Sequence, residues 1–240
     1  MSRTIVLLCA SVAACGGTEG APKGTPSSVG ATTDPCSTSQ ALTQHALADF
    51  ESGPPPGLAV TSDNSKGSMI DPDSSHTDPY PSAIDVRCGV SHSALHVKAS
   101  KLTDWGANIE LDFKDTTDGF DATGYDGFSF WVRRGEGSSG RSMLALLLDP
   151  FTAAPFDTSM MPFCGDGMGE QNKCDPFGHA VGFDQAWSFF AVPFSAMRQK
   201  GYGKASPGLD KKQLLGFKFS LGVGDWDLWL DDVAFYKAAP

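Results

Sequence analysis

The sequence predicts an all-β domain, a sandwich or a barrel, on three observations. From residue 46 onward the apolar residues come in short stretches broken by Gly, Pro, Asp and Ser, a spacing of strands and turns. Phe128-Ser129-Phe130-Trp131-Val132-Arg133 and Phe217-Lys218-Phe219-Ser220-Leu221 alternate with the period of a strand that has one face inward. The long helical periodicity that would compete with this reading is absent. With 240 residues the chain is long enough for one domain with a real core.

In chain order the predicted strands are Ala46–Phe50, Ala83–Arg87, Ala94–Ala99, Ala107–Phe113, Phe128–Arg133, Met143–Leu148, Ala180–Phe183, Ser188–Val192, Phe217–Leu221 and Leu228–Tyr236. Met143–Leu148 is apolar throughout, which predicts a central strand covered on both sides. Single helical turns are predicted at Ser195–Lys200 and Asp210–Leu215.

The last strand contains the adjacent acids Asp231 and Asp232. Regular alternation puts Leu228, Leu230 and Asp232 on one face and Trp229, Asp231, Val233 and Phe235 on the other. Whichever face packs inward takes a carboxylate with it, and a buried carboxylate needs a partner or a metal. The acidic segment Asp49-Phe50-Glu51 could bring further oxygens to the same place, so a calcium ion joining the two ends of the sandwich is expected there.

Residues 1–14 read as an export signal: Arg3 precedes a short apolar stretch, Ile5–Ala14, too short to span a bilayer. Val12-Ala13-Ala14-Cys15 is similar to a bacterial lipobox, which would make Cys15 the lipidated first residue of the mature chain; the alternative is an ordinary secretory signal. Residues 15–45 are rich in Gly, Ser, Thr, Pro and Ala and read as a flexible tether. The domain is then 46–240. The chain has six cysteines. With Cys9 in the signal and Cys15 lipidated, Cys36, Cys88, Cys164 and Cys174 remain, an even set that reads as disulfides in an exported protein. Cys164–Cys174 is the most local pair and leaves Cys36–Cys88. No C-x-x-C spacing supports a zinc site.

The formal net charge of −10 argues against nucleic acid or an anionic membrane surface as partner. Membrane attachment would come through the lipid alone. No nucleophile elbow, zinc-protease helix or phosphate loop is present. Ser91-His92-Ser93 reads as a surface turn. Paired carboxylates for glycoside hydrolysis discriminate nothing in a chain with 28 acids.

The order of short motifs is informative. Asp49-Phe50-Glu51, Ala94-Leu95-His96-Val97, Trp105-Gly106-Ala107 and Tyr125-Asp126-Gly127-Phe128 come first. Trp187 to Val192-Pro193-Phe194, Gly201-Tyr202-Gly203, Phe217-Lys218-Phe219 and Asp227 to Val233 follow. Over residues 46–237 this resembles the galactose-binding-like jelly rolls of bacterial carbohydrate-binding modules, the family 11 type and its relatives. The resemblance implies a two-sheet antiparallel β-sandwich and a structural calcium. Glu51 and Asp232 match the family's ligand positions, Asp49 lies beside them, and carbonyls near Ser65–Ser68 would complete the shell.

A saccharide site needs aromatic rings for stacking and fixed polar partners for hydroxyls. Candidates are Trp105, Trp131, Tyr202 and Trp226 for stacking, with Arg133, Asp149, His179 and Lys218 as polar partners. Trp131 and Trp229 sit in strands, where packing is the commoner role. The long segment between Asp149 and His179 is either a cover for the groove or an apolar surface for a partner. The expectation is a monomeric, non-catalytic, surface-tethered lipoprotein that binds poly- or oligosaccharide. The alternatives are an envelope interaction module without sugar binding and, third, a jelly-roll lyase or glycosidase.

Overall fold

The computed structural model describes residues 34–62, 68–70, 81–88, 91–103, 106–113, 119–152 and 174–238. One short helix, α1 (Pro35–Gln40), precedes twelve strands. These are β1 (Thr43–Ala48), β2 (Leu58–Ser62), β3 (Ser68–Ile70), β4 (Pro81–Arg87), β5 (Ser91–Leu102), β6 (Ala107–Asp112), β7 (Gly127–Arg134), β8 (Ser142–Leu148), β9 (Phe177–Gly182), β10 (Ser188–Pro193), β11 (Gly216–Leu221) and β12 (Gly224–Lys237). The first sheet is seven-stranded in the order β10-β7-β12-β5-β3, with β1 also on β12 and β4 also on β5; the second is five-stranded, β2-β6-β11-β8-β9. Every pairing is antiparallel. The chain is thus an all-β, two-sheet antiparallel sandwich, as its alternating segments predict.

The inner faces interlock through aromatic rings. Phe128 of β7 lies 5.0 Å from Phe217 of β11, Phe130 5.0 Å from Phe219, and Phe235 of β12 5.2 Å from Phe217. Aliphatic neighbours from both sheets, among them Leu95, Val97, Val132, Ile109, Met143 and Leu147, fill the space around them. Each fully buried ring or branched chain of this kind contributes about 1.5–3 kcal/mol.

Several expectations need correction. Strands β2 and β3 and helix α1 were not predicted. Of the two helical turns, one survives as a 3-10 turn at Phe194–Ala196, while 210–215 carries a single turn closed by the Gln213 N–H on the Asp210 carbonyl and no helix. The strand β8 is, as predicted, central and largely covered on both sides: on its outer face Leu146 and Leu148 are buried and Leu144 is half-buried. Residues 34–45, assigned to the tether, are folded. Asp34 caps α1 by accepting from the backbone N–H groups of Cys36 and Ser37, and Pro35 stands in the first turn. Cys36 is bonded to Cys88, fixing this segment to the end of β4.

The parity of β12 is also corrected. Trp226, Leu228 and Leu230 face the core, and so do Val233 and Phe235. Strict alternation cannot do this. The pairing register shifts between Asp231 and Ala234, and Asp232 takes a left-handed φ of 47°. The extra residue is a β-bulge. It coincides with a change of neighbour: β5 pairs with β12 up to Leu230, and β1 pairs with it from Val233. One edge of β12 thus serves two strands in succession.

Candidate functional site

At the bulge, the acids of β12 meet the residues that lead into β5. Asp231 lies on the outer face and is fully buried. Its Oδ2 accepts from the Arg87 guanidinium at 2.6 Å and from the Ser91 hydroxyl at 2.6 Å; its Oδ1 accepts from the Asp232 N–H at 2.8 Å. The same Arg87 nitrogen also donates to the Asp232 carboxylate. Burial, with the neighbouring Asp232 adding to it, pushes the Asp231 carboxyl up to about 6 against the pull of Ser91 and Arg87. Glu51 accepts from the backbone N–H groups of His92 and Ser93 at 2.8 and 3.1 Å, just past the point where β12 leaves β5. Desolvation works to raise the Glu51 carboxyl, but these two donors and the Ser91 hydroxyl hold it below its ordinary value.

The Ser91 hydroxyl reaches Asp231 and Glu51, while Asp232, the expected ligand on β12, is held by the Arg87 guanidinium; the oxygens of these acids are engaged by donors. A calcium shell needs about six to eight oxygens and no competing cation. Among the described residues no group of three or more His, Cys, Asp or Glu side chains could hold a metal. Asp49 is exposed and its carboxylate accepts from the Glu51 N–H. The loop carbonyls at 65–67 lie outside the described residues. What is described does not fit a calcium ion.

The rest of the first sheet's outer face is a row of rings and cations. Arg87 lies over Trp131 at 4.3 Å and Trp187 at 5.4 Å, and Arg133 lies over Trp187 at 5.1 Å and Trp229 at 4.8 Å. Trp229 stacks on His96, whose Nε2 is 2.8 Å from Asp227. Protein groups thus cover these ring faces, and Trp131 is only 1 % exposed. Trp131 and Arg133 are packing residues here, not a stacking surface.

The outer face of the second sheet is different. Cross-strand register sets two rows across it, Glu110–Lys218–Leu146–Gly178 and Asn108–Ser220–Leu144–Ala180. Glu110 is buried, with Oε2 3.4 Å from Lys218 Nζ and Oε1 without a partner. Burial raises its carboxyl against the pull of Lys218, and Asp112 on the same strand face adds to the rise. The face opens toward β9. A Cβ at Gly178 would meet Leu146 Cδ2 at 2.5 Å, so Leu146 would have to move to admit one. Beyond β9 the chain returns, Arg198 pairing with Gly178, and forms a tightly held loop. The Asp175 carboxylate accepts from the N–H groups of Lys200 and Gly201, and Gln199 donates to the carbonyls of Asp175 and Lys204. Tyr202 stands on that loop, 64 % exposed. Partial desolvation of its phenol, with Asp175 nearby, raises its pKa.

Lys218 lies in the outer-face rows of the second sheet, and Tyr202 stands on the loop that follows the Arg198–Gly178 bridge at the edge of β9. The other predicted residues lie elsewhere. Trp226 faces the core and donates its Nε1–H to the Gly222 carbonyl at 2.7 Å. Asp149 is buried and closes a turn by accepting from Phe151, Thr152 and Asp210. His179 follows the core-facing parity of Phe177 and Val181 on β9. Trp105 and Cys164 lie outside the described residues, while Cys174 is disulfide-bonded. Sequence reasoning missed Leu144, Leu146, Gly178 and Ala180, the apolar floor. The alternation of β9 carried part of that signal, and the register of β8 against β9 supplies the rest.

The fold is shared with solved carbohydrate-binding modules. The family 11 module of the cellulosomal cellulase Lic26A-Cel5E of Clostridium thermocellum matches with a TM-score of 0.52 at 14 % identity, over 83 % of this chain and 96 % of that one. A family 11 module from the same organism, in complex with a β-1,3-1,4-mixed-linked tetrasaccharide, gives 0.51 at 15 %, over 81 % and 96 %. The family 30 module of the cellulosomal cellulase Cel9D-Cel44B gives 0.50 at 12 %, over 83 % and 98 %. The domain has the β-sandwich fold of these modules. No family model matches the sequence, and no curated protein matches it.

Proposed function

We propose that this domain binds a poly- or oligosaccharide along the outer face of the second sheet, without catalysing a reaction on it. The observation that carries the reading is Tyr202, exposed on a loop fixed by Asp175 and Gln199 that follows the Arg198–Gly178 bridge at the edge of β9. A sugar ring offers an apolar C–H face to such a ring and floor. Lys218 and Ser220, on the next strand, meet its hydroxyls. The fold shared with carbohydrate-binding modules supports the reading, and the mixed-linked glucan bound by one of them supplies the first ligand to try. The lipobox-like Val12-Ala13-Ala14-Cys15 supports export and a lipid anchor at Cys15, placing the domain on a bacterial envelope.

A glycan array followed by calorimetry on the hits tests the binding. Binding that weakens about tenfold or more in Tyr202→Ala, with the melting temperature unchanged, supports the site. Failure to bind any glycan, with an envelope protein co-purifying instead, overturns it in favour of an interaction module. Release of reducing ends from a bound polysaccharide overturns the non-catalytic part. Loss of lipid labelling in Cys15→Ser tests the anchor.

A further inference from the structure

On the outer face of the first sheet, Arg87 is matched by Asp231 and Asp232, and Lys98 by Asp227. Arg133 has no such match. Among the described residues no carboxylate pairs with it, and its Nε–H is buried without an acceptor. Asp227 and Asp231, the acids of the facing strand β12, are already engaged by His96, Lys98, Ser91 and Arg87. The place of Arg133 is nonetheless fixed. It is the direct cross-strand partner of Trp229, and its guanidinium lies 4.8 Å from that indole and 5.1 Å from Trp187. Trp229 is itself backed by His96. Arg133, Trp187 and Trp229 are each half-buried, so the guanidinium is partly dried yet within reach of solvent.

We infer that Arg133, held by Trp187 and Trp229, is a second binding site, for the carboxylate of a uronic acid residue in an otherwise neutral glycan. An indole holds a guanidinium through its charge and its face. The N–H groups lie along the edge of the guanidinium and remain for an acceptor. A planar carboxylate fits that edge with two parallel hydrogen bonds, and partial removal from water strengthens the pair. The strands β7 and β12 are interior to the sheet, so a peptide could not add to them as a further strand and would be held by side chains alone. A sugar acid is bound through side chains in any case. The net charge of −10 repels a densely charged polymer, which favours acids spaced along a neutral chain. The inference does not rest on the sugar site of the second sheet, which lies on the other face of the sandwich.

The test titrates the full chain by calorimetry with xylotetraose, with xylotetraose carrying one glucuronate, with its counterpart carrying one sulfate, and with a short peptide ending in a free carboxylate. The glucuronate-bearing probe is expected to bind about tenfold or more tighter than the neutral one. That advantage is expected to vanish in Arg133→Gln, to fall in Arg133→Lys, which keeps the charge without the fork, and to persist in Tyr202→Ala, which alters only the second-sheet site. Equal affinity for the neutral and glucuronate-bearing probes overturns the inference, as does an advantage that survives in Arg133→Gln. Preference for the sulfated probe overturns the assignment to a carboxylate, and equal binding of the peptide overturns the assignment to a sugar. Should Arg133→Gln fail to fold, the Arg133 Nε–H resonance of the natural protein decides. A shift with the glucuronate-bearing probe and none with the neutral one supports the site; an unmoved resonance overturns it.

Discussion

Trp229 and His96 lie face to face on neighbouring strands, ring centroids 3.7 Å apart and planes 13° from parallel. The two residues are direct cross-strand partners, and Arg133 lies over the same indole. A charged imidazole is poorly accommodated there. Burial lowers the His96 pKa below 6.5, against the opposing pull of Asp227, and the nearby Lys98 and Arg133 lower it further.

That direction fixes a pH response. The folded state holds the His96 proton less tightly than the unfolded chain. The stability tied to the neutral ring is therefore full above the ordinary histidine value and is lost as pH falls through the lower folded value. Between neutrality and about pH 5, the melting temperature of the natural protein is expected to fall more steeply than that of His96→Gln. Parallel slopes would contradict the assignment.

Two aromatic residues that look alike in the sequence are expected to behave oppositely. Trp226 is 3 % exposed with its indole N–H bonded inside, so Trp226→Ala should cost about 3–5 kcal/mol of stability. Tyr202 is mostly exposed, so Tyr202→Ala should change stability by less than about 0.5 kcal/mol while weakening glycan binding. Chemical denaturation and calorimetry on the same pair of variants separate the two roles.

The Cys36–Cys88 bond closes a sequence separation of 52 residues. Replacing both cysteines by serine should lower stability by about 2–4 kcal/mol, measured by denaturant unfolding under non-reducing conditions. A loss much smaller than that would mean α1 and the start of β1 hold their place without the bond.

Glu110 gives a pH response of the opposite sign. Burial raises its carboxyl, so the stability linked to its protonated form is full below 4.5 and lost as pH rises through the raised value. Glu110→Gln should therefore compare more favourably with the natural protein at neutral pH than in acid. A constant difference across that range would show that Lys218 keeps the carboxylate fully ionised.

Much of the sandwich was legible because its inner strands obey simple alternation. Phe128, Phe130 and Val132 and their partners Phe217, Phe219 and Leu221 are all core residues. The bulge at Asp232 was also written in the sequence, as a phase slip: Trp226, Leu228 and Leu230 repeat on even positions, Val233 and Phe235 on odd ones, and the acids stand at the break. Reading the strand as regular hid it. Arg87 could not have been found this way, since it lies 144 residues from Asp231 and only the fold joins them. The binding surface was half legible for the same reason. Lys218 and Tyr202 announce themselves as polar or aromatic residues among turns, whereas Gly178 and Ala180 matter only as a flat floor, which no single residue type marks.

A regular strand resists a slide of one residue, which would turn its faces inside out, but it tolerates a slide of two. The additional residue at position 232 forbids both. Any displacement of β12 carries the kink away from the spot where β5 ends and β1 begins, and strands on that edge would lose their places at once. The centre of the first sheet is thus keyed to a single alignment, which disfavours misfolded isomers and strand exchange between copies.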